Sequence, residues 1–91
     1  MERKTNLLDT TLTEVDFLRT EIRTGLTFAR IARESKRTSP KRSRNRTNGR
    51  KAYDTVLRFA PKVSLSDEEA EDINSKLKQL KTELKDLGEE V

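Results

Sequence analysis

The sequence predicts an all-α protein in which three helices, long, short and long, pack as a single-domain bundle over residues 1–91. Apolar residues recur every three or four positions in three segments, which is the spacing of a buried helix face. Proline, glycine and helix-capping residues bound these segments. Only 31% of the residues are apolar and 40% are charged, but the clustering of the apolar residues is typical of a folded chain.

The first helix is predicted over residues 11–34, with Thr10, Thr11 or Thr13 as its N-cap. Thr11 followed by Glu14 fits a capping box. One apolar face consists of Leu8, Leu12, Val15, Leu18, Ile22, Leu26 and Ala29. The second apolar face, nearly opposite, consists of Phe17, Phe28 and Ile31. Between the two faces, the small residues Gly25, Ala29 and Ala32 allow another helix to approach closely. Because a helix with two apolar faces needs two neighbours, we expect it to be the centre of the bundle.

Two acidic residues, Glu14 and Glu21, interrupt the apolar arc of this helix. Because an unpaired buried charge is costly, we expect each carboxylate to pair with an arginine or lysine of a neighbouring helix, or to lie at an edge. A catalytic role for either carboxylate is the less favoured alternative.

A mobile basic loop is predicted over residues 36–49, between the first and second helices. Eight basic residues and no acidic or apolar side chain occur from Lys36 to Lys51. Pro40 and Gly49 are typical of a loop. Outside this segment the chain has 12 basic and 16 acidic residues, so the net charge of +4 originates here.

This basic segment is the candidate polyanion-binding site, because closely spaced cations attract phosphates and release their counterions. Its basic residues are Lys36, Arg37, Lys41, Arg42, Arg44, Arg46, Arg50 and Lys51. Binding would be non-specific, since the segment has no aromatic residue to stack on bases. The alternatives are a solvated loop, docking on the acidic residues 67–72 of the same chain, and an anionic membrane surface.

The second helix is predicted over residues 50–60, and Pro61 ends it. The third begins at Ser66, which forms a capping box with Glu69, and stops at Gly88. Its apolar residues follow an unbroken heptad repeat, which indicates a helix packed along its whole length.

A short second helix leaves part of the first helix uncovered, since a helix rises only ~1.5 Å per residue. We therefore expect a homodimer, or another helical protein, to complete the bundle. The predicted interface is the face of Phe17, Phe28 and Ile31.

A local pattern of small and large residues occurs at Gly25, Phe28, Ala52, Val56 and Phe59, followed by Pro61. It resembles the alternation in tetratricopeptide-like helical hairpins over less than a third of the chain. The segment between the helices is longer than in those hairpins, and the proline is displaced. The resemblance implies no family and no functional residue.

The chain contains no cysteine and no histidine. This composition excludes disulfides, ordinary zinc, haem and copper sites, and Ser-His or Cys-His nucleophiles. The acidic residues 67–72 lack the ligand spacing of a calcium loop, so neither a metal nor a cofactor is predicted. No segment is apolar enough to span a bilayer, and we expect a soluble, cytoplasmic protein.

The predicted function is that of a small helical protein-interaction module without catalytic activity. The alternative is an accessory nucleic-acid-binding protein that contacts phosphates through residues 36–51.

Overall fold

A computed structural model describes residues 7–91 of the chain, with side chains from Thr13 onward. It contains the helices α1 (Leu7–Glu34), α2 (Pro40–Phe59) and α3 (Asp67–Asp86), and a 3-10 turn at Ala60–Lys62. α2 runs antiparallel to α1, and α3 returns parallel to α1. The predicted all-α three-helix bundle is confirmed, and no strand occurs among residues 7–91.

Helix α1 is continuous and begins at Leu7, one turn earlier than predicted. Of its first predicted apolar face, Val15, Leu18, Ile22 and Ala29 are fully buried, and Leu26 is half-buried. The predictions for Leu8, Thr11 and Leu12 lie outside the described side chains.

The predicted loop over residues 36–49 is wrong for most of its length, because helix α2 begins at Pro40. The oxygen of Ser39 accepts a hydrogen bond from the N–H of Arg42 at 3.1 Å and caps the helix. Pro40 occupies the first turn, where its missing N–H costs nothing. With 20 residues, α2 is as long as α3, so the predicted order long, short, long is corrected as well.

Helices α1 and α2 pack closely where two glycines face each other. A β-carbon on Gly49 would lie 3.4 Å from the carbonyl oxygen of Gly25. Ala29, Ala32 and Ala52 are buried around this contact. The small residues of α1 therefore admit a second helix as predicted, and that helix is α2.

The core has two connected layers. Leu18, Ile22, Val56 and Ile73 form the layer nearer the turn between α2 and α3. The other layer consists of Ala29, Ala32, Tyr53, Leu80, Leu84 and Leu87. Leu77 of α3 and Leu26 of α1 pack against both layers.

Helix α3 starts with the predicted capping box between Ser66 and Glu69, in which both reciprocal hydrogen bonds are present. It ends in a Schellman turn at Gly88, whose φ of 100° favours glycine. In this turn the N–H of Gly88 bonds the oxygen of Lys85, and the N–H of Glu89 bonds that of Leu84, both at 2.9 Å. The turn directs the last residues of the chain back toward α2.

Candidate functional site

Two exposed aromatic side chains meet at the end of the bundle where α2 stops. The rings of Phe17 and Phe59 pack edge to face with centroids 6.1 Å apart. Phe17 is nevertheless 44% exposed and Phe59 38%. The two rings lie in a groove of about 480 Å³, which we call the aromatic groove. Thr13, Glu14, Phe17, Phe59, Lys62 and Val63 line it.

The 3-10 turn after α2 fixes the position of Phe59. The N–H of Ala60 still bonds the oxygen of Val56, whereas Pro61 has no N–H to extend the helix. Two cations lie over the ring of Phe59, the guanidinium of Arg58 at 5.3 Å and the ammonium of Lys62 at 5.4 Å from its centroid. Such contacts hold the ring in place at the surface.

The rim of the aromatic groove carries one charge of each sign, Glu14 from α1 and Lys62 from the turn. Neither forms an ion pair with a described residue. Glu21 has no ion-pair partner either, so the ion pairs expected for Glu14 and Glu21 are absent among residues 13–91. Both carboxylates lie at edges instead, Glu14 exposed and Glu21 half-buried.

The three residues of the predicted interface, Phe17, Phe28 and Ile31, do not form one exposed surface in the structure. Only Phe17 is exposed, while Phe28 and Ile31 are half-buried within the chain. The premise that α2 is too short to cover α1 is wrong, because the basic segment extends α2 by ten residues. Phe59 was not predicted as the partner of Phe17. The available signal is its position two residues before a helix-ending proline.

Three of the eight predicted polyanion-binding residues have structural partners instead. Arg42 donates a hydrogen bond to the oxygen of Ala32 at 3.1 Å and so satisfies a carbonyl at the end of α1. Arg46 donates to the oxygen of Leu87 at 3.2 Å. Arg50 donates to the oxygen of Glu90 at 3.0 Å.

Arg46 and Arg50 also share one carboxylate, that of Glu89. The Nε of Arg46 is buried and lies 3.0 Å from one oxygen, close enough for charge attraction but without the alignment of a hydrogen bond. An N–H of Arg50 donates to the other oxygen at 3.1 Å. A hydrogen bond to Asp54 raises the pKa of Arg50, burial opposes this shift, and Glu89 adds to it.

The other five cations of the segment are exposed and have no ion-pair partner among the described residues. They are Lys36, Arg37, Lys41, Arg44 and Lys51. Arg44 and Lys51 are seven residues apart and lie on the same side of α2, facing away from the core. The alternative that the segment docks on residues 67–72 is wrong for the described side chains, since its carboxylate partners are Asp54 and Glu89.

Comparisons with protein-family models, curated proteins and solved structures find no match to this chain. The likeness to tetratricopeptide-like hairpins therefore remains a local one. No helix in the described part of the chain is long and apolar enough to cross a membrane. Among the described side chains, residues 13–91, no group of three or more acidic side chains could hold a metal ion.

Proposed function

We propose that this protein is a non-catalytic helical interaction module that pairs with a second copy of itself through the aromatic groove. The observation that carries the proposal is the contact between Phe17 and Phe59, two rings that touch each other and yet are each more than a third exposed. Full burial of a phenylalanine side chain contributes roughly 1.5–3 kcal/mol. A partner that covers both rings would gain a large share of that free energy.

The charges on the rim support a second copy as the partner. A twofold axis places the same surface of each protomer against the other. Each contact between two different residues therefore occurs twice in the dimer. Glu14 of one protomer can then face Lys62 of the partner subunit, and the reverse. A groove with one acid and one base at its rim is self-complementary in this sense.

Sedimentation equilibrium at micromolar to millimolar concentrations tests the proposal. We expect Phe17→Ser and Phe59→Ser to weaken the dimer by at least about tenfold, since each removes apolar contact area. Leu57→Ser is the matched control, because Leu57 is 47% exposed but does not line the groove. A wild-type chain that stays monomeric, or a control that weakens the dimer equally, would contradict the proposal.

Charge reversal tests the twofold arrangement itself. Glu14→Lys and Lys62→Glu should each weaken the dimer, because each brings like charges together across the interface. The double variant E14K/K62E restores opposite charges and should recover most of the lost affinity. Failure of the double variant to recover, after both single variants have weakened the dimer, would rule out this pairing.

A second candidate function is the binding of nucleic-acid phosphates by α2 and the turn before it. Five exposed cations without carboxylate partners favour it, namely Lys36, Arg37, Lys41, Arg44 and Lys51. Lys41, Arg44 and Lys51 are on α2, and a helix holds its cations at fixed spacing as a loop does not. The three arginines Arg42, Arg46 and Arg50 do not belong to this candidate site, since they bind carbonyls and carboxylates of the chain.

Filter binding to a short DNA duplex at two salt concentrations tests this candidate. The variant R37Q/R44Q should bind more weakly than wild type, with a salt slope reduced by about two phosphate contacts. The matched control is R23Q/R30Q, which removes the same charge from exposed positions of α1. No retention at low salt, or equal losses in the two variants, would contradict phosphate binding by α2.

The proposal includes a cytoplasmic location, which is supported by the absence of cysteine from the sequence.

Another helical protein that covers the aromatic groove would give the same mode of binding with a different partner. The sedimentation experiment distinguishes the two, because only self-association appears with the pure chain.

A further inference from the structure

We propose that the cleft between α2 and α3 binds a small organic molecule with two or more phosphoryl groups. The cleft has a volume of about 460 Å³, within the range typical of ligand sites. Tyr53 of α2 and Leu77 of α3 provide its apolar part. Lys78, Lys81 and Lys85 line the α3 side. This cleft is separate from both the aromatic groove and the exposed cations of α2.

The three lysines stand on one face of α3, at spacings of three and four residues. No carboxylate lines the cleft, and none of the three lysines forms an ion pair with a described residue. Lys76 shows the contrast: it is on the same helix but outside the cleft, and its ammonium lies 3.0 Å from Asp72. The cleft therefore concentrates positive charge that the described chain does not neutralise.

Tyr53 supplies a second, independent feature of the site. Its side chain is more than nine-tenths buried, with 7% of the residue exposed. Its hydroxyl bonds to no described residue and is not itself buried, so the ring lies in the core while the oxygen reaches the surface. Since Tyr53 lines the cleft, its hydroxyl is available to donate to an anion there.

The arrangement of these groups indicates the class of ligand. Lys78 and Lys85 are seven residues apart, which separates their backbone positions by ~10.5 Å along the helix. A single phosphate cannot engage such a row, whereas a chain of two or three phosphoryl groups can. Lysine ammoniums bind phosphoryl oxygens as mobile point charges. The apolar surface of Tyr53 and Leu77 suits the organic part of the molecule.

Titration of the ¹⁵N-labelled full chain with sodium tripolyphosphate, followed by NMR, tests the proposal. We expect saturable shifts at backbone amides of residues 74–85 and weaker binding of orthophosphate. Lys81→Gln should reduce the affinity for tripolyphosphate by at least about fivefold, because it removes the middle cation. Lys76→Gln is the matched control and should leave the affinity unchanged.

Tyr53→Phe keeps the ring in the core and removes only the hydroxyl, and it should reduce the affinity by about threefold. The variant R37Q/R44Q should bind tripolyphosphate as wild type does, which separates this site from the outer face of α2. The proposal is overturned if no saturable shift occurs, if K76Q and K81Q lose affinity equally, or if the shifts map to residues 36–51.

Discussion

Gly25 packs directly against the methyl group of Ala52, and this contact sets the distance between α1 and α2. A β-carbon on Gly25 would lie 3.0 Å from the β-carbon of Ala52 and 2.8 Å from a methyl group of Leu80. The end of the Leu80 side chain would have to move, and the 3.0 Å contact is tighter than almost all β-carbon contacts and involves a methyl group that the backbone of α2 holds in place. The glycine is therefore required by packing, although it lowers helix propensity by ~1 kcal/mol relative to alanine.

Gly25→Ala should consequently destabilise the protein by about 1–3 kcal/mol, because overpacking forces the helices apart. Gly49→Ala is the comparison. Its new β-carbon would lie 3.3 Å from the movable end of Leu84, so the gain in helix propensity offsets most of the crowding. Urea unfolding measures both variants, and the packing argument fails if G25A is as stable as G49A.

The capping bond of Ser39 gives a second prediction. Ser39→Ala should reduce the free energy of unfolding by about 1 kcal/mol, because the N–H of Arg42 loses its acceptor. Ser43→Ala, at an exposed position inside α2, serves as the control and should have little effect. Equal stability of the two variants in urea would show that α2 does not depend on this cap.

Glu89 provides a third test, because it holds the end of the chain against α2. Glu89→Gln should destabilise the protein by roughly 1–2 kcal/mol, since two arginines lose their shared carboxylate. Glu90 is exposed, and only its backbone oxygen accepts a hydrogen bond, from Arg50. Glu90→Gln should therefore leave the stability unchanged. Thermal unfolding of both variants at low and high salt measures the effect. The loss of stability in E89Q should be smaller at high salt, because salt screens the charges.

A fourth prediction concerns pH. A hydrogen bond from Lys76, opposed by burial and reinforced by the charges of Lys76 and Arg19, lowers the pKa of Asp72 below its ordinary 3.8. Because the pKa is lower in the folded state, the ionised carboxylate stabilises the fold above the ordinary pKa. This stabilisation is lost as the pH falls through the folded-state pKa.

The stability difference between wild type and Asp72→Asn should thus be constant above about pH 5 and should shrink below pH 3.8. Urea unfolding at several pH values measures it. Asp16 is exposed and forms no ion pair with described residues. The stability difference between wild type and Asp16→Asn should therefore not decrease at low pH. A difference for D72N that is the same at low and neutral pH would contradict the assignment.

The elements that the sequence predicted well are those stabilised by local interactions. Ser66 and Glu69 mark the start of α3, and its apolar repeat continues to Leu87. The first half of α2 was missed because residues 40–49 contain no large apolar side chain. Its helix depends instead on the Ser39 cap and on distant partners such as Ala32, Leu87 and Glu89, which no local pattern reveals.

One signal for this helix was nevertheless present. Arg42, Arg46 and Arg50 recur every four residues, which places them on one side of a helix. The aromatic groove could be predicted only in part, since Phe17 was assigned to an interface but Phe59 was not. The contact between Phe17 and Phe59 depends on the length of α2. Because α2 was predicted too short, Phe17 was expected to contact another chain and not Phe59.

Photo-crosslinking from position 59 tests most directly whether the aromatic groove is where two copies meet. A full-length chain with a benzophenone-bearing phenylalanine at Phe59 should yield a crosslinked dimer on illumination at micromolar concentration. Mass spectrometry should then locate the crosslink at residues of the partner that line its groove, and the same probe at Leu57 should give little dimer. Absence of a dimer from position 59, or equal yields from both positions, would contradict the account.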